Sequence, residues 1–341
     1  MKTTVKSGGS GSATVQEVAR VAGVSISTVS RILNGTARVS REKRQAVQDA
    51  IAQLNFEPNR LAQSLKRGRT MTVGVLTQDI GSSYFNETLQ GVDKALANTG
   101  YAPLIVSGHW DTQDESDRIR LLIARRVDGI IILYGTLEPE QILAYTEQVP
   151  IVVTGRRIEA ERACAIDLDH EAAGYAATRH LLDLNHRRIA HIKGPEEHRD
   201  AVQRFAGYRR ALSEAGVDYD QRLVVNGDFR EPSGLLAVME LLRRGVSFTA
   251  IFAANDQMAY GARLALYRHN IRIPEDISLI GFDDLPSSSY TTPPLTTMRQ
   301  PLFDMGQTAA ESLLSIIDQK RVESMRVKAE LVVRETTRRL T

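Results

Sequence analysis

The 341-residue chain has little of several things that would narrow its function quickly. One cysteine excludes a disulfide within the chain, and nothing in the composition calls for an oxidising compartment. No apolar run approaches the roughly 20 residues of a membrane-spanning helix, and the opening MKTTVKSGGSGS lacks the apolar stretch of a secretory signal. A soluble cytoplasmic protein with a flexible Gly/Ser tail over residues 1–12 is expected. Chemical motifs are equally scarce. There is no P-loop and no G-x-S-x-G elbow to present a nucleophile, and the Gly cluster nearest a dinucleotide fingerprint is the tail, which follows no strand. His186 and His191 in HRRIAH flank a strand rather than sharing a helix face, with no cysteine beside them. No enzyme activity, metal or cofactor is therefore expected.

What the chain does have is an uneven charge. Residues 1–70 carry 12 Lys and Arg against 4 Asp and Glu, whereas the remainder carries 31 against 37. A basic head on a mildly acidic body suggests an anionic polymer as partner. At 42% hydrophobic residues, the body is large enough for two ordinary cores.

In the head, TVQE from Thr14 to Glu17 is a capping box that starts a helix burying Val15, Val18 and Ala19. Gly23 can turn the chain without steric cost, and Ser25 caps a second helix with Val29, Ile32 and Leu33 facing inward and Gly35 at its end. Ser40 caps a third, whose Ala46, Val47, Ala50, Ile51 and Leu54 recur at helical spacing. Two short helices joined by a tight Gly turn, with a third behind, make a helix-turn-helix unit whose second helix enters the DNA major groove. On that helix Ile26, Ser27, Thr28, Ser30 and Arg31 face outward. Their short side chains permit close approach, and Arg31 can fork onto guanine.

From Met71 the texture changes. TVGVLT, YAPLIVSG, VDGIIIL, VPIVVTG, RIAHIKG, FTAIFAAND and ISLIGFDD are apolar, β-branched runs separated by stretches of helical period, the pattern of parallel α/β sheets. So many units fit two doubly wound lobes better than one sheet. Ligands bind beyond the carboxyl ends of such strands. There stand Gln78 and Asp79, then SSYFNE, Gly155 and Arg156, Asn255 and Asp256, and Asp283 and Asp284. Carboxylate, amide and guanidinium groups around a cleft can hold several hydroxyls, and an aromatic can cover a sugar's apolar face. Asn255 and Asp256 also suit a helix cap, with the cap favoured for Asp256.

TVQEVARVAGVSISTVSRILNG followed by VSREKRQAVQDAIAQLNFEPNRLAQSL closely resembles the LacI/GalR family of bacterial transcription regulators. VDGIIIL, RFAGYRRAL, AANDQMAYGA, ISLIGFDD and PPLTTMRQP extend the resemblance through the family's effector domain, which is similar to periplasmic sugar-binding proteins. The resemblance implies an all-α helix-turn-helix DNA-binding domain over 13–57, a hinge over 58–69 and an α/β two-lobed body over 70–341. The lobes would span about 70–168 with 301–328, and about 169–300 with 329–338. It further implies a hinge helix formed on operator DNA, with Leu65 as a minor-groove wedge. Pro58 blocks continuation of the third helix, NRLAQSL is too short to be helical alone, and the cations after Leu65 suit a kinked minor groove.

The expected DNA contacts are Thr14, Gln16, Ser25, Ile26, Ser27, Thr28, Ser30, Arg31, Asn34, Asn59, Arg60 and Leu65. The expected ligand contacts are Gln78, Tyr84, Phe85, Arg156, Asp200, Arg204, Asn255 and Asp283, with Phe229 as the aromatic stacker. TGRR replaces the family's frequent Asp-Arg after the VP strand, which leaves room for an anionic or unusually linked sugar. Lac-type repressors add a C-terminal leucine heptad, and ELVVRETTRRLT leaves no room for one, so a homodimer on a pseudo-palindromic operator is expected. A mono- or disaccharide or a derivative is the expected effector. A sugar-binding or transport protein is the rival, opposed by the DNA-reading head.

Overall fold

The computed structural model describes residues 13–33, 39–56 and 68–341, which divide at Thr70/Met71 into a small head and a large body. In the head, α1 (Val15–Val21), α2 (Ile26–Leu33) and α3 (Arg41–Gln53) follow local signals closely. The Thr14 hydroxyl accepts from the Glu17 amide at 3.3 Å while the Glu17 carboxylate accepts from the Thr14 amide at 2.7 Å. Gly23 turns the chain at φ 64°, and the Ser25 hydroxyl accepts from the Thr28 amide at 3.2 Å. Ser40 stands at the start of α3 but its side chain makes no capping bond; only its carbonyl joins the helix, accepting from the Arg44 amide at 3.1 Å. Val18, Ala19, Val29, Val47, Ala50 and Phe56 form the core between the three helices.

The body holds two six-stranded sheets. The first contains β1 (Thr72–Thr77), β2 (Ala102–Ser107), β3 (Gly129–Leu133), β4 (Ile151–Thr154), β5 (Ala163–Leu168) and β11 (Met325–Val327), in the order β11-β5-β4-β3-β1-β2 and all parallel. The second contains β6 (Ile189–Lys193), β7 (Val224–Asn226), β8 (Ala250–Ala253), β9 (Ser278–Asp283), β10 (Thr296–Arg299) and β12 (Glu330–Val332), in the order β12-β10-β9-β8-β6-β7. Here β12 alone runs antiparallel, against β10. The central strands are buried on both faces, which explains their continuous apolar runs.

Each sheet has its own helices. The first is covered by α4 (Ser83–Leu96), α5 (Thr112–Ala124), α6 (Pro139–Tyr145) and α11 (Leu302–Ile317), the second by α7 (His170–Asp183), α8 (Arg199–Glu214), α9 (Glu231–Arg243) and α10 (Asp256–Arg268). α4 and α11 approach so closely that a β-carbon at Gly91 would lie 1.9 Å from the Phe303 carbonyl oxygen, and one at Gly306 would lie 1.9 Å from that of Thr88. Alanine at either position would have to push the helices apart. The chain passes between the sheets after β5, after β10 and between β11 and β12, so three short straps join the lobes. No helix among the described residues is long and apolar enough to cross a membrane.

Candidate ligand cleft and DNA-reading face

Residues just beyond the carboxyl ends of strands from both sheets line one cavity of about 430 Å3. The first lobe supplies Asp79 after β1, Tyr84 and Phe85 on α4, Trp110 after β2 and Tyr134 after β3. The second supplies Asp200 and Arg204 on α8, Phe229 after β7, Asn255 after β8 and Asp283 at the end of β9.

Arg204 organises the second-lobe wall. Only 2% exposed, it donates to Asp200 Oδ2 at 3.2 Å, to the Ala254 carbonyl at 2.5 Å and to His170 Nδ1 at 3.3 Å. Its guanidinium lies 3.9 Å from the Phe282 ring centroid, so a buried cation is held by a carboxylate, a carbonyl and an aromatic face. Accepting from Arg204 through Nδ1 places the His170 proton on Nε2. Burial, reinforced by Arg204, pushes His170 down to about 3, so it stays neutral.

The two carboxylates differ. Burial by itself would raise Asp200, yet the ion pair with Arg204 holds it below the ordinary carboxylate range. Burial raises Asp283 well above that range; Arg204 opposes the rise and the nearby Asp256 adds to it. Asp283 has φ 120°, and its Oδ1 accepts from Gln300 Nε2 at 2.7 Å. Gln300 lies on the strap between β10 and α11, so one hydrogen bond ties the cleft to an inter-lobe crossing.

Aromatic rings continue the wall across the lobes. Trp110 stacks on His198 with ring centroids 4.0 Å apart, His198 lies 5.6 Å from Phe229, and Phe85 lies 6.1 Å from Trp110. Tyr84 and Tyr134 meet at 5.6 Å in an edge arrangement. Apart from each other, their hydroxyls find no hydrogen-bond partner among the described residues. Buried hydroxyls in this state suit a polar ligand. Trp110, Tyr134 and His198 were not among the expected contacts, although Tyr134 directly follows the run VDGIIIL and Trp110 stands two residues after YAPLIVSG.

Two expected ligand contacts lie elsewhere. Gln78 is 1% exposed and its amide is committed within the first lobe: Nε2 donates to the Tyr134 carbonyl at 3.3 Å and Oε1 accepts from the Trp110 amide at 3.0 Å. It therefore positions two aromatics and is absent from the cavity lining. Arg156 donates to the Leu137 and Gly135 carbonyls and sits near Glu115, again outside the lining. The cap assignment is corrected as well. Asn255 caps α10, accepting from the Met258 amide at 2.9 Å, and donates to the Phe229 carbonyl at 2.8 Å. Asp256 is buried one position later, where it accepts from the Leu285 amide, Ser288 and Thr297. Burial raises it to about 6. His186 and His191 hold backbone and Thr249 contacts, and no metal-binding cluster occurs among the described residues.

A roomier crevice of about 1200 Å3 runs between Glu159–Ala163 and Gln319–Ser324. Among the described residues its lining holds no aromatic ring, and its three acids are matched by three bases, so its chemistry recommends it less than the smaller cleft.

On the head, Val29 is fully buried while Ile26, in the first turn of α2, is 51% exposed. Ser25, Ser27 and Arg31 are exposed with it, and Thr28 and Ser30 are half-buried. Thr14 and Gln16 are exposed at the start of α1, although the Thr14 hydroxyl is engaged by Glu17. An isoleucine left in solvent beside short hydroxyls and one arginine suits a macromolecular contact. Asn34, Asn59, Arg60 and Leu65 lie outside the described residues, as does most of the hinge.

Comparison with known proteins agrees with both halves. The family described as bacterial regulatory proteins, lacI family, matches residues 14–59, and the family described as periplasmic binding proteins and sugar binding domain of LacI family matches residues 70–335. The transcriptional repressor PurR of Vibrio atlanticus is 35% identical over 332 residues, covering 96% of this chain and 99% of its own. Among solved structures, the Lac repressor dimer bound to operator and the anti-inducer ONPF superposes with a TM-score of 0.86 at 31% identity, covering 96% and 99% of the two chains. The transcriptional regulator CelR in complex with cellobiose gives 0.70 at 34% identity, covering 95% and 99%. With the head and the body both matched, the chain belongs to the lacI family of bacterial regulatory proteins.

Proposed function

We propose that this regulator is a transcriptional repressor that binds a pseudo-palindromic operator as a homodimer and changes its operator affinity when a sugar or sugar derivative occupies the inter-lobe cleft. The observation that carries the reading is the outward face of α2. Ile26, Ser27 and Arg31 stand clear of a packed helix-turn-helix core, on a chain whose body holds a cleft of buried acid, guanidinium and aromatic groups. The solved relatives bound to operator and to cellobiose support the same two partners. The chain is read as a cytoplasmic binding protein without enzyme activity.

Residues 13–57 serve as the reading domain, 58–69 as the hinge and 70–341 as the effector domain. Thr14, Gln16, Ser25, Thr28, Ser30, Asn34, Asn59 and Arg60 support Ile26, Ser27 and Arg31 on DNA, and Leu65 acts as the minor-groove wedge. In the cleft, Arg204, Asp200, Asp283 and Asn255 orient hydroxyls, while Phe229 and the Tyr84–Phe85 pair cover apolar faces. Ligand would draw the lobes together about the three straps. Because β1 follows the hinge directly, that movement changes the spacing of the two hinges in a dimer.

Selection from a pool of random duplexes tests the DNA half of the reading. The full chain should recover two-fold symmetric sites whose centre is rich in an easily kinked pyrimidine–purine step. Recovery of no sequence above the starting pool contradicts it.

A further inference from the structure

Six acidic side chains line the cleft among the described residues, Asp79, Glu197, Asp200, Asp228, Glu231 and Asp283, against the guanidinium groups of Arg204 and Arg230; burial favours the neutral acid at Asp283, and the other five still outnumber the two cations. His198, the one imidazole among the described lining residues, is pushed down by burial and adds no positive charge at neutral pH. Arg204 is already paired with Asp200 at 3.2 Å. Asp283, 3% exposed, has no ion-pair partner within 4.0 Å among the described residues, and its Oδ1 accepts from the neutral Gln300 amide. Three more carboxylates accept from neutral donors: Asp79 from the Gly81 amide, Asp228 from the Arg230 amide and Glu231 from the Gln257 side chain. The cation that could have welcomed an anion from the first lobe, Arg156, is turned into the Gly135 and Leu137 carbonyls and faces Glu115.

From this imbalance we infer that the cleft takes uncharged and amino-bearing sugars and rejects sugar phosphates and sugar acids. The inference rests on the reading of the cleft as a sugar site and adds the sign of charge that site tolerates. Hydroxyl and ammonium groups donate to carboxylates, whereas a phosphate or carboxylate on the ligand would enter a cleft whose rim already holds excess negative charge. The room for an anionic sugar that TGRR leaves in the sequence is thereby closed, because Arg156 is spent on the backbone.

Calorimetric titration of the full chain with a panel of mono- and disaccharides tests this, each free sugar matched with its 2-amino, uronic-acid and 6-phosphate counterparts where these exist. The tightest hit should be neutral or amino-bearing, with its anionic counterparts at least tenfold weaker. A phosphate or acid as the tightest hit overturns the charge inference and leaves the sugar reading standing. Titration by no sugar at all overturns the sugar reading instead, and the charge inference is then judged on the ligand-free protein. There Asp283→Asn, which keeps an oxygen to accept from Gln300, should raise the melting temperature at neutral pH by removing a buried carboxyl that has no ion-pair partner and is costly to ionise. A fall in melting temperature contradicts it.

Discussion

Asp283→Ala is expected to remove the ligand response of DNA binding while leaving the affinity of the ligand-free protein for its operator unchanged. The carboxylate is buried at the carboxyl end of β9, faces the cavity, and belongs to the body rather than to the head. Leaving one or two buried ligand hydroxyls without a partner costs about 1–3 kcal/mol each, so ligand binding should weaken by roughly tenfold or more. Calorimetry against whichever sugar binds the unaltered chain reads this directly. Unchanged ligand affinity would remove Asp283 from the site, and a parallel loss of DNA binding would show that the residue serves the fold.

Arg31→Ala is the matching expectation for the head. A bidentate arginine–guanine contact discriminates by about 1–3 kcal/mol, so binding to the selected operator should fall by roughly 5- to 150-fold while binding to random duplex falls much less. The salt dependence separates the alternatives. If Arg31 touches only phosphate, specific and nonspecific binding weaken together and the salt slope drops by about one. Because Arg31 is exposed in the last turn of α2 and Val29 carries the packing, the variant should keep the melting temperature of the parent.

The sequence made the architecture legible wherever burial was complete and runs were long. TVGVLT coincides with β1, and the other six apolar runs each contain a strand; all but the edge strand β2 are largely buried on both faces, which favours a continuous apolar run. ACAIDL, which forms β5, escaped because its small residues and buried Asp167 interrupt that signature. The three-residue strands β7, β11 and β12 lie at sheet edges with partly exposed residues, too short for any period to register. β10 escaped for another reason: Thr296 and Thr297 are buried by hydrogen bonds to Thr336, Thr337 and Asp256 rather than by apolar character.

The cleft was legible by type more than by residue. Positions after strands were the right place to search, yet Gln78 and Arg156 turned inward to satisfy carbonyls and amides that a sequence does not display. His198 could be found only in three dimensions, since its stacking partner Trp110 comes from the other lobe. The Asn255–Asp256 pair divides its work by one step of helix register. Asn255 sits at the cap with extended backbone, while Asp256 is already within α10 and points at the Leu285–Ser288 turn.

The central claim is that the cleft and the operator are coupled through one chain. It is tested most directly by titrating a fluorescent selected operator with the 341-residue chain at fixed salt, with and without a saturating concentration of the sugar that binds the cleft. A coupling of typical size, about 1–3 kcal/mol, predicts a 5- to 150-fold change in operator affinity that Asp283→Ala abolishes. Operator affinity unmoved by a sugar that calorimetry shows to be bound would contradict the account.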